Sequence, residues 1–123
     1  MKKIVIAAML MLWAGIAVAQ HNHAASKGPN GGPVQDVAGV HAELLIVGGA
    51  VTINLLDESN KPTSAKGFSG SVLIVAGSAR ETVQLAVSGD SSLKGEGKAT
   101  IPSGAQVTLV LKNAAGKSGQ AKF

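Results

Sequence analysis

The stretch VHAELLIVGGAVTINLLD, from Val40 to Asp57, decides the fold, because two runs of alternating apolar residues flank a glycine pair. Gly48 and Gly49 are the residue type that a two-residue primed hairpin turn requires. If Val47 pairs with Ala50, one face of the hairpin is wholly apolar. The expected pairs on that face are Ile46 with Val51, Leu44 with Ile53 and Ala42 with Leu55. A shift by one residue would expose this face to water, so pattern and turn predict the same register.

A second hairpin is predicted from SVLIVAGSARETVQLAV, residues 71–87. Its apolar residues alternate on both sides of a turn that we place at Gly77 to Arg80. The expected cross-strand pairs are Ile74 with Val83 and Val72 with Leu85. As in the first hairpin, this pairing collects the apolar side chains on one face.

Further strands are predicted at 105–111, with Val107, Leu109 and Leu111 pointing inward, and at 118–123, joined by a turn at 113–116. Residues 91–99 form a weaker candidate, since they contain two glycines. Turn residues recur roughly every 8 to 12 positions and helical periodicity is lacking. We therefore expect an all-β domain over residues 33–123, a small Ig-like β-sandwich of about seven short antiparallel strands.

The N-terminal residues have the layout of a secretory signal peptide. Lys2 and Lys3 precede an apolar run, and Ala17-Val18-Ala19 is an A-x-A cleavage site. The run is shorter than the roughly 20 residues that span a bilayer, so we expect cleavage after Ala19 and no stable membrane anchor. The prediction is an exported, periplasmic protein with a signal peptide at 1–19 and a disordered, His-bearing tail at 20–32.

Composition excludes several functions. The chain has no Cys and no Tyr, and its only Trp and its three Met precede residue 20. Cleavage would also remove two lysines and leave a net charge of +2. The protein would then have no disulfide, no thiol or thioether ligand for Cu(I), and no aromatic platform for bases. Nucleic-acid binding is not expected, and any metal would be one that imidazole and carboxylate ligands suit, namely Cu(II), Zn(II) or Ni(II).

His41 and Glu43 are candidate metal ligands on the domain. Residues two apart on a strand share a face, and the hairpin register places both on the polar face, with Glu43 opposite Asn54. Either they act as adjacent ligands, or both point to solvent, as most polar residues on an outer sheet face do. One imidazole and one carboxylate do not complete a metal site.

His21 and His23 are the remaining candidates. Cleavage after Ala19 would leave a free amine at Gln20, next to His21. Amine, backbone amide and imidazole suit the tetragonal geometry of Cu(II). Either the tail histidines contact metal, or they belong to a solvated tail without a ligand.

No enzymatic activity is expected from this sequence. A catalytic triad needs a nucleophile held by a base that is itself oriented, and no G-x-S-x-G turn is present. GPNGGP lacks the Lys-Ser/Thr and the helix of a phosphate-binding loop, and the letters HNH lie outside any ββα-metal framework. We therefore predict no catalytic residues.

Three segments, PNGGPVQDVAGVHAELLI, LLDESNKP and the terminal QAKF, resemble small exported proteins related to a periplasmic module of heavy-metal efflux adaptor subunits of the RND type. The resemblance covers residues 29–123. It implies a periplasmic β-sandwich linked to metal handling, with His41 and Glu43 on the group's His-x-Glu positions. The group often has His before the Gly-Gly pair, where this chain has Asn30, a much poorer metal ligand.

Two functions follow as hypotheses. The first is a periplasmic protein that binds Cu(II), Zn(II) or Ni(II) through His41, Glu43, His21 and His23 in heavy-metal efflux or homeostasis. The second is a non-enzymatic interaction module that docks onto an efflux-system or envelope protein without metal, for example through an exposed sheet edge. The fold class does not choose between them.

Overall fold

The computed structural model describes residues 26–123. The predicted signal peptide and cleavage site, tail residues 20–25 and both tail histidines lie outside these residues. The described part contains eight strands and no helix, and so no helix that could cross a membrane. The strands are β1 (Val34–Val37), β2 (Val40–Val47), β3 (Ala50–Leu56), β4 (Ser69–Ala76), β5 (Ala79–Ser88), β6 (Ser92–Glu96), β7 (Gln106–Lys112) and β8 (Ser118–Lys122).

All strand pairs are antiparallel, and together they form one sheet in the order β1-β2-β3-β6-β5-β4-β7-β8. β5 joins the two halves, because its first part pairs with β4 and its last residues pair with β6. The first and last strands come into contact at the seam of the sheet. The domain is thus a nearly closed, barrel-like sheet; the all-β prediction is confirmed, and the two stacked sheets of a sandwich are not.

The eighth strand, β1, is the one that the sequence did not indicate. It has only four residues and turns into β2 through Ala38 and Gly39, which both have positive φ (50° and 82°). Alanine rarely adopts this left-handed conformation, so the Ala-Gly pair is a weak sequence signal for a primed turn.

The β2–β3 hairpin has the predicted register. Val47 pairs with Ala50, and the three apolar pairs form as expected. Their side chains fill the interior of the barrel, where Ala42, Val51, Ile53 and Leu55 have no exposed surface. The turn residue Gly48 has a φ of 61°, as a primed turn requires.

The predicted register of the second hairpin is wrong by two residues. Val72 pairs with Val83 and Ile74 with Glu81, because the chain reverses in a two-residue turn at Gly77 and Ser78. Gly77 has a φ of 59° and so permits this tight turn. A shift by two residues keeps every side chain on its face, so the expected apolar residues remain buried.

The weaker candidate strand is present as β6. Gly95 lies where a Cβ atom would overlap the carbonyl oxygen of Gln84 on β5. A glycine in this strand therefore permits close approach of two backbones, and does not mark the end of a strand.

The core is aliphatic and continuous through the barrel. Leu93, Leu109 and Leu111 are fully buried, and Phe123 packs against the cluster. The predicted inward residues of β7 are all buried, and the turn at 113–116 joins β7 to β8. This core fixes which side chains point outward on each strand.

Candidate functional site

The carboxylate of Glu43 is the main polar group inside the described structure. Glu43 has no exposed surface, although its side chain lies on the outer face of β2. It accepts hydrogen bonds from the backbone N–H of Asn30 (2.9 Å) and of Gly32 (3.0 Å) and from Nδ2 of Asn30 (2.8 Å). A longer contact of 3.5 Å comes from Nδ2 of Asn54.

Residues 26–32, which we call the strap, cover this carboxylate. The strap is a small hairpin in which Gly28 N–H donates to Gly32 O and Gly31 N–H donates to Gly28 O (2.8 and 3.0 Å). Ser26 O accepts from Val34 N at 2.8 Å, which ties the strap to β1. The sequence predicted a disordered tail over 20–32; in the structure Asn30 and Gly32 of this segment donate hydrogen bonds to Glu43, an interaction that local composition does not reveal.

Two glycines of the strap are required because the strap packs closely against β2. A Cβ atom at Gly28 would lie 2.5 Å from Cδ and Oε2 of Glu43, and a Cβ atom at Gly32 would overlap the carbonyl oxygen of Leu44. The motif GPNGGP is therefore a close-fitting cover for a carboxylate. It is a turn, as the sequence indicated, but one with a specific partner.

The hydrogen bonds decide the charge of Glu43. Burial by itself would raise the pKa of this carboxyl, but the donors from Asn30, Gly32 and Asn54 outweigh burial and hold the pKa below the ordinary glutamate value. Glu43 is therefore an anion at neutral pH. Among the described residues, no cationic side chain lies within ion-pair distance of it.

Asn54 extends the network to the neighbouring strand. Its Oδ1 accepts a hydrogen bond of 2.6 Å from Oγ of Ser92 on β6. This bond orients the Asn54 amide so that its nitrogen faces Glu43. No buried side-chain nitrogen or oxygen within residues 26–123 lacks a partner, so the network is complete as it stands.

His41 has different surroundings from Glu43. Its Nε2 lies 2.9 Å from Oδ1 of Asp36, and its Nδ1 lies 3.3 Å from Oδ1 of Asn60. The imidazole is 29% exposed and the Asp36 carboxylate 86% exposed. Both line a shallow cavity of about 270 Å³ together with Glu58.

The two candidate ligands on β2 therefore make different contacts. They share a face, as predicted, but Glu43 is covered by the strap and saturated with donors, while His41 pairs with Asp36. The expectation that both point to solvent is wrong for Glu43. Within residues 26–123, no three His, Cys, Asp or Glu side chains are grouped so that they could hold a metal ion.

A second surface stands out on the opposite half of the barrel. We call the outer face of β5, β4, β7 and β8 the cationic face. Its side chains, from the register of these strands, are Ser69, Ser71, Leu73, Val75, Arg80, Thr82, Gln84, Ala86, Gln106, Thr108, Val110, Lys112, Ser118, Gln120 and Lys122. None of the acidic side chains in the described part of the chain lies on this face.

The cationic face has the layout of a contact surface. Leu73 is half-buried near its centre, Val75 is half-buried opposite Arg80, and Val110 is 37% exposed. Arg80, Lys112 and Lys122 lie towards its periphery and form no ion pair with any described carboxylate. An apolar centre with charged surroundings is how protein interfaces are organised.

Sequence reasoning missed the partners of both candidate residues. Asn30 and Gly32 were assigned to the tail at 20–32, and no partner was predicted for His41. The register rule could have found Asp36, since it faces His41 across the β1–β2 hairpin. The contact between the strap and Glu43 has no comparable sequence signal, because it joins a loop to the face of a sheet.

Comparison with known proteins gives no assignment: no protein-family model, no curated protein and no solved structure matches the chain.

Proposed function

We propose that this protein is a non-enzymatic binding module of the cell envelope that docks an acidic protein surface on its cationic face. The observation that carries the proposal is the absence of acidic side chains from the fifteen-residue face formed by four strands of the described domain. Charges of one sign, here those of Arg80, Lys112 and Lys122, steer oppositely charged partners and repel like-charged ones.

The chemistry of the face favours a protein partner over other anions. Leu73, Val75 and Val110 give it apolar surface that a folded partner can bury. No aromatic side chain lies on the face to stack a base or a sugar ring. An efflux-system or envelope protein, as the resemblance to adaptor subunits implies, is the partner class that fits an exported protein.

Site-specific photo-crosslinking in the native host tests this proposal. A photoreactive amino acid at Thr108, in the cationic face, should crosslink to one defined protein. The same amino acid at Thr52, a half-buried threonine on the outer face of β3, is the matched control and should give no such product.

Charge reversal identifies the role of the lysines. Lys112→Glu/Lys122→Glu should weaken the Thr108 crosslink by about tenfold or more, since it replaces attraction with repulsion at the periphery. The control is Lys61→Glu/Lys66→Glu, which changes the net charge equally but lies outside the face. Equal crosslinking at Thr108 and Thr52, or equal loss in both double variants, would refute docking on this face.

A second candidate function is metal binding at His41 and Asp36. The 2.9 Å contact between Nε2 of His41 and the Asp36 carboxylate supports this candidate, because it brings an imidazole and a carboxylate together at a partly exposed position. Cu(II), Zn(II) and Ni(II) accept such ligands, and His21 or His23 could complete the coordination. This candidate replaces Glu43 by Asp36, because the oxygens of Glu43 are occupied by the strap.

Calorimetric titration with the three metals distinguishes the ligand sets. His41→Ala and Asp36→Asn should each weaken binding by about tenfold or more, while Glu43→Gln should leave it unchanged. A His21→Ala/His23→Ala double variant measures the contribution of the tail. Unchanged affinity in His41→Ala would remove the domain from any metal site of this protein.

A further inference from the structure

Asn30 is followed by Gly31, and this dipeptide lies at the tip of the strap. Asparagine before glycine is chemically labile, because glycine has no side chain to shield its backbone nitrogen from the asparagine amide carbon. Nothing in the described structure lies within 4 Å of a Cβ atom placed on Gly31. The tip is therefore sterically open to this reaction.

Both reacting groups are held while the strap is closed. Gly31 N–H donates to Gly28 O at 3.0 Å. The Asn30 amide donates through Nδ2 to Oε1 of Glu43 at 2.8 Å, and the Asn30 backbone N–H donates to Oε2 at 2.9 Å. The ionised Glu43 thus fixes the amide in one orientation, since charge-assisted hydrogen bonds are the stronger kind.

From this geometry we propose that Asn30 is a site of spontaneous deamidation, that opening of the strap controls its rate, and that the conversion releases the strap permanently. The proposal is independent of the docking function and concerns the opposite half of the barrel.

The reaction balances with water alone. The nitrogen of Gly31 bonds to Cγ of Asn30 and loses its proton, and the bond from Cγ to Nδ2 breaks, so that ammonia leaves. Water then opens the resulting succinimide at either carbonyl, giving aspartate or isoaspartate. One water is consumed and one ammonia released, and nothing is oxidised or reduced.

The product cannot restore the closed strap. A carboxylate at residue 30 would replace a donor that lies 2.8 Å from Oε1 of Glu43 by a second anion. Two like charges at this distance repel each other, and no described cation lies in ion-pair range of Glu43 to offset the repulsion, so the exposed carboxylate at residue 30 would turn away from Glu43 into solvent. The released strap would uncover Glu43 on the face that it shares with His41.

Peptide mass spectrometry of the purified protein, incubated at neutral pH, measures conversion at residue 30. Glu43→Gln should convert at least about tenfold faster than the unsubstituted protein, the factor expected when a charge-assisted hydrogen bond that holds the strap is weakened. Asn54, Asn60 and Asn113, which are not followed by glycine, are internal controls and should remain intact. Asn30→Gln should be stable, since its longer side chain forms the ring poorly.

A comparison that needs no substitution keeps the test valid if Glu43→Gln does not fold. Unsubstituted protein unfolded in urea should convert at residue 30 faster than folded protein by the same factor or more. Equal rates in folded and unfolded protein would overturn the proposal, because the strap would then not control the reaction.

Amide hydrogen exchange tests the release of the strap. Asn30→Asp should lose protection at the Gly32 amide and keep it at Ile53 in the core, whereas Asn30→Gln should keep both. A Gly32 amide that stays as protected in Asn30→Asp as in the unsubstituted protein would refute permanent release.

Discussion

The backbone N–H of Gly32 donates to Oε2 of Glu43 across 3.0 Å, and this bond joins the strap to the outer face of β2. The carboxylate is thereby removed from solvent without a cationic partner in the described structure. A buried anion held only by neutral donors depends on every one of them, since the charge strengthens each hydrogen bond and penalises its loss.

Truncation of Glu43 should destabilise the domain strongly. Glu43→Ala leaves the N–H groups of Asn30 and Gly32 without their acceptor under the strap, so we expect a loss of about 2 to 4 kcal/mol in the free energy of unfolding. Urea denaturation measures it. Glu58→Ala, an exposed position, is the control and should change stability by less than about 0.5 kcal/mol. Equal effects would show that the network does not stabilise the fold.

Stability should depend on pH through Glu43. Its folded pKa lies below the ordinary value of 4.5, so the folded state favours the ionised form. The resulting stabilisation is fully present above pH 4.5 and is lost as pH falls through the lower folded pKa. The difference in unfolding free energy between the unsubstituted protein and Glu43→Gln should therefore shrink in acid. A difference that grows on acidification would mean that the folded pKa is raised.

His41 should contribute little to stability. Its pair with Asp36 is largely solvent-exposed, and such pairs contribute between about 0 and 1 kcal/mol. His41→Ala should therefore unfold at nearly the same urea concentration as the unsubstituted protein, in contrast to Glu43→Ala. A loss similar to that of Glu43→Ala would indicate that the two residues act in one network.

Gly95 should not tolerate a side chain. In Gly95→Ala the new Cβ atom would overlap the Gln84 carbonyl, and the fixed backbones of β5 and β6 would have to separate. We expect a loss of about 1 to 3 kcal/mol by thermal or urea unfolding. Gly97→Ala is the matched control, since its Cβ atom would meet only the carboxylate end of the Glu81 side chain, at 3.1 Å, and no backbone atom. Similar losses in both variants would argue against a backbone collision.

Local rules predicted the parts of this fold that depend on neighbouring residues. The β2–β3 register follows from alternation and a glycine pair, and the inward residues of β7 follow from alternation alone. The closure of eight strands into one sheet does not follow, because it depends on how β5 passes from β4 to β6. Periodicity contains no information on sheet order.

The same distinction between local and long-range features applies to the candidate site. The pattern placed His41 and Glu43 on one face, and the structure agrees. It did not indicate that the glycine-rich segment folds back over one of them, since the contact between Asn30 and Glu43 joins residues thirteen positions apart without strand pairing. Glu43 was therefore interpreted as a ligand or a solvated group, whereas in the structure it is buried and holds the strap.

The seam between the first and last strands bears on aggregation. β1 and β8 touch where Gly119 lies against Ala38, yet no backbone ladder joins them in the described structure. Unpaired strand edges can recruit strands of other molecules, and here each edge is shielded mainly by the other. Any change that parts Gly119 from Ala38 would expose two complementary edges at once, and exchange of a terminal strand between two molecules would be the expected route to misassembly.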